Sequence, residues 1–431
     1  MIEIKWLGIS SPYNRTEPVS PSPAAELMRE VGMVDFALAI ELDETERAVQ
    51  ETARRFATDV LRPLGADLDK LPAEDVIADG SPLYDAHKQF RDLGFAGMRL
   101  GEDMSRAQKA RLVCLVGYEL GRGDTGLALG LGGSTFPAMV ANASCNPELM
   151  AQFNYDQIGC WAITEPDHGS DELDVTGAAS ATGLNRGRGN CIARPDGNSI
   201  VINGQKSAWV SNGTIAETAA LFCTYDDGSD EVKHGCFLVD LKDEGVSRGK
   251  PTDKIGQRSL NQGEIFFDEV RIPAENMVAP PDRYSDFTTM ILTRANSSMG
   301  ISFSGLAQAA FDEALAYAKE RKQGGVPIIQ HQNVKGRLFE MFRKVLAARA
   351  LNWQVCMQNF TTADARLEYA IATKVTSTQT AFEVASEAMT IFGGASIIRD
   401  HPVERMLRDA RISMIEDGNN DLLGLMAADR F

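Results

Sequence analysis

Two short stretches of the chain hold the side chains that could do chemistry. The first is Trp161-Ala162-Ile163-Thr164-Glu165-Pro166-Asp167-His168-Gly169-Ser170-Asp171. A Thr, then Pro, then Gly-Ser builds a turn whose amides and hydroxyls face one spot, which suits a polar flat ring or a phosphate. The second, about forty residues on, is Asn203-Gly204-Gln205-Lys206-Ser207-Ala208-Trp209-Val210-Ser211-Asn212. Trp209 and Ser211 are two residues apart, so on a strand they share one face. Standing alone, Trp209 reads as core. His168 reads as an exposed loop residue rather than a catalytic one.

The composition restricts what such residues can serve. Of 431 residues, 44% are apolar and 24% charged, the balance of an ordinary globular protein of more than one domain. Disordered, collagen-like and small disulfide-framework chains are excluded. With 43 Lys and Arg against 60 Asp and Glu, the formal charge is -17. That surface repels nucleic acid and anionic lipid at long range, so an anionic ligand needs a locally positive pocket. The seven cysteines form no CxxC pair and are odd in number, which predicts a reduced, cytoplasmic protein with buried thiols. The five histidines are scattered, so no metal site is expected. No apolar run reaches the roughly 18 residues of a membrane span, and no signal-peptide core opens the chain.

The elements that must position these residues fall into three textures. Residues 1–32, with four prolines, read as an irregular extension; Met33 opens what reads as the start of a folded domain. Residues 33–155 read as an N-terminal α-helical domain. Asp43 and Glu46 predict a capping box, Pro63 the end of that helix, and further helices are expected over 83–93, 106–122 and 125–142. The Gly-Ala-rich GLALGLGG in the last predicts close helix packing, or a ligand nearby. Residues 156–280 read as a middle domain of short strands (199–204, 219–225, 236–241, 264–272) punctuated by Asn-Gly and Asp-Gly turns, a compact antiparallel β-barrel or sandwich. Residues 281–431 read as four long antiparallel helices in a bundle. One stripe holds Met299, Phe303, Leu306, Ala310, Ala314 and Tyr317, another Leu338, Met341, Phe342, Val345 and Ala348. A third helix over 364–391 stops at Gly393-Gly394, and a fourth runs from Pro402 to near Gly418. The expected fold is α+β multidomain.

The first two motifs, in this order, resemble the acyl-CoA dehydrogenase family. Further matches are Lys254-Ile255-Gly256-Gln257-Arg258, Phe266 to Pro273, Glu320-Arg321-Lys322-Gln323-Gly324-Gly325 with Pro327 and His331-Gln332, Ile391-Phe392-Gly393-Gly394, and Glu404 to Arg411. The resemblance covers roughly 40–430. It implies FAD. Thr164 then meets the flavin's pyrimidine edge, Gly169 and Ser170 its phosphates, Trp209 the isoalloxazine face, and Ser211 the N5 and O4 edge. Arg321 meets the FAD pyrophosphate from a neighbouring subunit, where a guanidinium fork suits phosphate. Gln323, Ile328, His331 and Asn419 join the cofactor-binding set, and Gly393 and Gly394 approach the adenosine half. Such sharing implies a homo-oligomer, a tetramer built as a dimer of dimers.

The family's chemistry is α,β-dehydrogenation of an acyl-CoA: a carboxylate removes the α-proton and flavin N5 takes the β-hydride. Its base is usually a Glu in a Tyr-Glu-Gly-Thr segment. Anchored on Ile415 and Gly418, Asp417 falls on that position and Glu416 on the Tyr. Asp is about 1.5 Å shorter, and a 1 Å misplacement costs on the order of 100-fold, so either the loop shifts or Glu416 does the work. Another branch puts its Glu where this chain has Thr293. Arg294 matches an Arg near the base and is assigned with Ser170 and Gly418 to the substrate. Departures include Thr390, Leu260, Gln262 and Gly324 where the family has Gln, Ser, Thr and an aromatic, and Asp167-His168 in place of a small pair. The electron acceptor implied is an electron-transfer flavoprotein. An oxidase such as nitroalkane oxidase also uses an Asp base and shares the Gly-Gly and His-Gln junction, but carries an Arg where this chain has Gly424. A DNA-binding relative that keeps FAD without dehydrogenation is opposed by the -17 charge. The acyl pocket is expected to depend on residues 95–135, where the loop Leu100-Gly101-Glu102-Asp103-Met104 is short.

Overall fold

The computed structural model describes residues 42–99, 104–174, 189–362 and 364–431. The expected extension over 1–32 and most of the 100–104 loop lie outside these residues. The helical first part holds α1 (Glu44–Arg55), α2 (Arg62–Leu68), α3 (Ala73–Val76), α4 (Pro82–Asp92), α5 (Arg106–Gly123), α6 (Thr125–Gly133), α7 (Phe136–Ser144) and α8 (Pro147–Gln152). The capping box at α1 forms as expected: the Glu46 amide donates to Asp43 at 2.8 Å, and the Asp43 amide to Glu46 at 3.1 Å.

Pro63 does not end that helix. The chain runs on through a π-helical stretch, Phe56–Leu61, into α2, with the Arg62 amide bonded to Ala57 five residues back. Widening the turn spares Pro63 the clash with a preceding carbonyl that would otherwise stop it. The single helix expected over 125–142 is two, broken at Ser134-Thr135.

The middle part is a sheet of β1 (Gly159–Ala162), β2 (Ile192–Asp196), β3 (Ser199–Lys206), β4 (Thr218–Tyr225), β5 (Lys233–Asp240), β6 (Val246–Arg248), β7 (Ile265–Pro273) and β8 (Met277–Ala279). Its order is β6-β7-β3-β2-β4-β5-β8, with β1 also on β4. The four expected strands are present. The antiparallel expectation needs correction: β1 and β2 both run parallel to β4. The sheet is therefore mixed, and among the described residues no pairing joins β6 to β8 to close the expected barrel. One face buries Ala193, Ile202, Leu221, Phe237, Val239 and Ile272; the other packs Ala220, Phe222 and Leu238 against helices.

The last part contains α9 (Tyr284–Glu320), a hairpin of β9 (Lys322–Gln323) and β10 (Val326–Pro327), α10 (Gln332–Thr361), α11 (Leu367–Phe392), α12 (Pro402–Ser413) and α13 (Asn420–Ala428). Three helices are long, but the fourth is only 12 residues and stops at Ser413, so the expected run to Gly418 is a turn instead. The α9 stripe packs as expected, with Phe303 fully buried at its centre. Phe342 departs from the second stripe and is exposed, while Leu338, Met341, Val345 and Ala348 are buried. Gly393 ends α11 at a φ of 62°, the backbone region a glycine enters without strain.

Candidate functional site

The first two motifs are locked together by a buried ion pair. The Lys206 ammonium, 0% exposed, donates to Glu165 at 2.5 Å and to the Ile163 carbonyl at 2.8 Å. The second Glu165 oxygen accepts the amides of Asn190 and, at 3.1 Å, Cys191. The Ser207 amide donates to the Thr164 carbonyl at 3.0 Å. Every polar atom of the pair is thus satisfied, which a buried charge requires. The result presents Thr164 outward.

Thr164, Gly169, Ser170, Trp209, Ser211, Arg294, Glu416, Asp417 and Gly418 converge on one cavity of about 1740 Å³. Arg106 and Leu120 both line it from α5, four turns or roughly 20 Å apart. Trp209 is not core: its ring is 59% exposed on the cavity wall. It sits with Ser211 on a turn beyond β3 rather than on a strand, but Val210 between them is buried, so the two still share a face. Ser211 accepts the Gln262 amide at 3.3 Å. His168 lies in a loop as expected but is half-buried on the cavity wall rather than exposed, with Nδ1 2.8 Å from Asp171. Burial opposes its charged form, yet Asp171, Glu172 and Glu165 outweigh that and raise its pKa. The GLALGLGG segment divides between both expectations. A Cβ on Gly126 would strike Ser259, whereas one on Gly132 or Gly133 would meet nothing within 4 Å, and both of these line the cavity.

The acidic pair lies on the turn between α12 and α13. Asp417 and Gly418 both have positive φ, 50° and 96°, and a Cβ on Gly418 would press on Leu423 and Leu173. The turn is tied down from the first motif, since Ser170 Oγ accepts the Asn419 amide at 3.1 Å. The Asn419 side chain itself caps α13 by accepting the Asp421 amide at 2.9 Å. Glu416 accepts the Gln257 side-chain amide at 2.5 Å, and burial first, then the Asp417 charge, pushes its pKa up to about 7. Asp417 carries no hydrogen bond on its carboxylate among the described residues. Burial raises its pKa too, opposed by Lys374. Thr293 is neutral and donates back to the Thr289 carbonyl at 2.7 Å. Arg294 is exposed to the cavity with no ion pair among the described residues.

The remaining expected residues form a second group, outside the cavity. Arg321 follows α9, its amide on the Tyr317 carbonyl at 2.8 Å and its guanidinium exposed. Ile328 is buried and its amide bonds the Arg321 carbonyl at 2.8 Å; His331 Nε2 lies 3.2 Å from the Gln323 carbonyl. Gly393 and Gly394 are exposed at the same end, because Tyr317 stacks on Phe392 at 4.0 Å. Arg294 and Arg321 are separated by roughly 40 Å of α9.

Residues 43–153, 160–270 and 287–431 match, in that order, the N-terminal, middle and C-terminal domains of acyl-CoA dehydrogenase. The chain belongs to the acyl-CoA dehydrogenase family. It is 30% identical over 400 residues to the mitochondrial short-chain specific acyl-CoA dehydrogenase of Rattus norvegicus, covering 90% of each protein. Its fold is that of butyryl-CoA dehydrogenase from Megasphaera elsdenii, with a TM-score of 0.78 at 23% identity, covering 91% of this chain and 99% of that one. A structure described as an electron transferring flavoprotein of Acidaminococcus fermentans matches with the same score, identity and coverage. No helix among the described residues is long and apolar enough to cross a membrane.

Sequence reasoning passed over the groups around the two carboxylates. Gln257 was noted only as part of a motif. Lys254 stands in the same motif and Lys374 in none; both are pushed down to about 8 by burial. Lys374 had a signal: it falls on the same α11 stripe as Ile371, Thr378 and Ala381, all buried.

Proposed function

We propose that this chain is an FAD-dependent acyl-CoA dehydrogenase in which Asp417 removes the α-proton. One observation carries the choice of base. Asp417 stands on the cavity wall with an unengaged carboxylate, while Glu416 is held by Gln257. A base must reach its proton, and a carboxylate already accepting a short hydrogen bond is poorly placed to do so. Asp417 takes a positive φ of 50°, so its backbone leaves the turn in a direction that an ordinary helix end would not give it.

The residues present fit FAD. The exposed Trp209 ring offers an apolar face, the Thr164 hydroxyl has no partner among the described residues, and the cavity exceeds the usual 300–1,000 Å³ of a small-ligand pocket. Bound FAD supplies the hydride acceptor. The protein's own part is to seat the thioester beside Arg294 and Gly418, to exclude water with Phe136, Met139 and Trp161, and to take the α-proton onto Asp417. Burial keeps the carboxyl's affinity for that proton high.

Arg321, Gln323, His331, Gly393 and Gly394 serve the cofactor of a neighbouring copy in this reading. Their clustering at one bundle end, far along α9 from Arg294, supports a homo-oligomer with shared sites. Electrons then pass to an electron-transfer flavoprotein. The test is anaerobic bleaching of the flavin by straight, branched and cyclic acyl-CoAs. Asp417→Asn should hold FAD and lose bleaching by at least 1,000-fold, while Glu416→Gln retains most of it. The reverse result makes Glu416 the base.

A further inference from the structure

Lys374 is an unusual buried cation. It is 0% exposed, yet among the described residues no carboxylate bonds it. Its ammonium donates to the Gly418 carbonyl at 2.7 Å and to Asn420 Oδ1 at 2.7 Å, both neutral. Lys206, equally buried, is instead paired directly with Glu165. A buried charge without a counter-ion is strongly disfavoured. The charges that act on Lys374 are Asp417 first and Glu416 second.

We infer that Lys374 is a positioning residue for proton abstraction: it clamps the Gly418 carbonyl and takes Asp417, across that turn, as its counter-anion. Two consequences follow from one contact. The clamp fixes the peptide after Asp417, and with it the carboxylate's direction into the cavity. The positive charge favours the ionised carboxylate, the form that can accept a proton, against the burial that disfavours it.

Among the described residues, the groups facing this lysine are neutral apart from those on the turn. From its own helix come Thr373, Ser377 and Thr378; from α9, Gly300 beside Thr373; from α10, Asn352 on Ser377 at 2.8 Å. Asn420 bonds Thr378 at 3.0 Å. On the turn stand Glu416 and Asp417, and beyond Glu416 the cation Lys254, which Glu416 and Asp409 favour.

The inference rests on Asp417 being the base, and the test separates the two. Anaerobic flavin reduction is followed against pH in the FAD-loaded wild type, Lys374→Gln and Asn420→Asp, using the acyl-CoA that bleaches the wild type best. The Gln offers an amide donor one bond shorter than the ammonium, and no charge. The Asp gives the lysine a direct partner and withdraws it from Asp417, at almost no change in shape. In both, the acidic limb of the profile should move up by about one pH unit, so reduction below the limb falls about tenfold. The alkaline plateau should change less than threefold. The infrared carboxyl band that Asp417→Asn removes should titrate with the same displacement in substrate-free holoenzyme. An unmoved limb and band, or a uniform loss at every pH, overturns the role of Lys374. If Lys374→Gln fails to hold FAD, Asn420→Asp decides alone. Full bleaching by Asp417→Asn instead removes the base assignment itself.

Discussion

Replacing Glu165 by Gln is expected to destabilise the middle domain and release the cofactor together. In the folded protein Glu165 and Lys206 have side chains 1% and 0% exposed. The carboxylate accepts from the ammonium and from the amides of Asn190 and Cys191. A Gln has one acceptor and one donor in that place. Whichever way it turns, its amino group faces an ammonium or two N–H groups, and the lysine charge is left buried. Breaking a buried pair in this way costs about 3–5 kcal/mol. The loss falls on the Ile163 to His168 turn, which displays Thr164 to the cavity. Urea unfolding followed by tryptophan fluorescence, with flavin absorbance read in parallel, measures both effects. The double variant Glu165→Gln with Lys206→Met removes the stranded charge and should recover more than half of the lost stability. A cost under about 1 kcal/mol for Glu165→Gln with full FAD content would refute the argument. So would a double variant no more stable than the single one.

Two further outcomes follow from the carboxylates and the second cluster. Glu416 binds its proton more tightly folded than unfolded, so its contribution to stability is full below its ordinary value of 4.5 and is lost as pH rises through about 7. Unfolding of the wild type across that window should therefore show a fall that Glu416→Gln lacks; parallel slopes in the two proteins exclude it. Arg321→Ala should release FAD and reduce the assembled mass together, as read by absorbance and light scattering, because its exposed guanidinium serves both; loss of neither refutes the shared site.

Local chemistry was legible in the chain as written. The Asp43 and Glu46 cap needs only four consecutive residues, and the α9 stripe only the helical period, so both formed as expected. The motif containing Thr164, the one containing Trp209 and Glu416-Asp417-Gly418 marked residues that the fold brings to one cavity. Where local rules met a tertiary constraint, they failed. Pro63 continues a helix because a π-turn absorbs its clash, and β1 and β2 run parallel to β4, which no hairpin signal encodes.

What the sequence by itself determined was which carboxylates stand side by side; which of them is engaged was decided only by the tertiary structure. Glu416 and Asp417 are adjacent and chemically alike, and no spacing rule separates them. Gln257, about 160 positions away, reaches Glu416 at 2.5 Å and leaves Asp417 open to the cavity. Lys374, over forty positions away, bonds the carbonyl of Gly418, the residue next to that open carboxylate. The reason is physical: a carboxyl's reactivity depends on desolvation, hydrogen bonds and neighbouring charge, and in a folded chain all three come from residues distant in sequence.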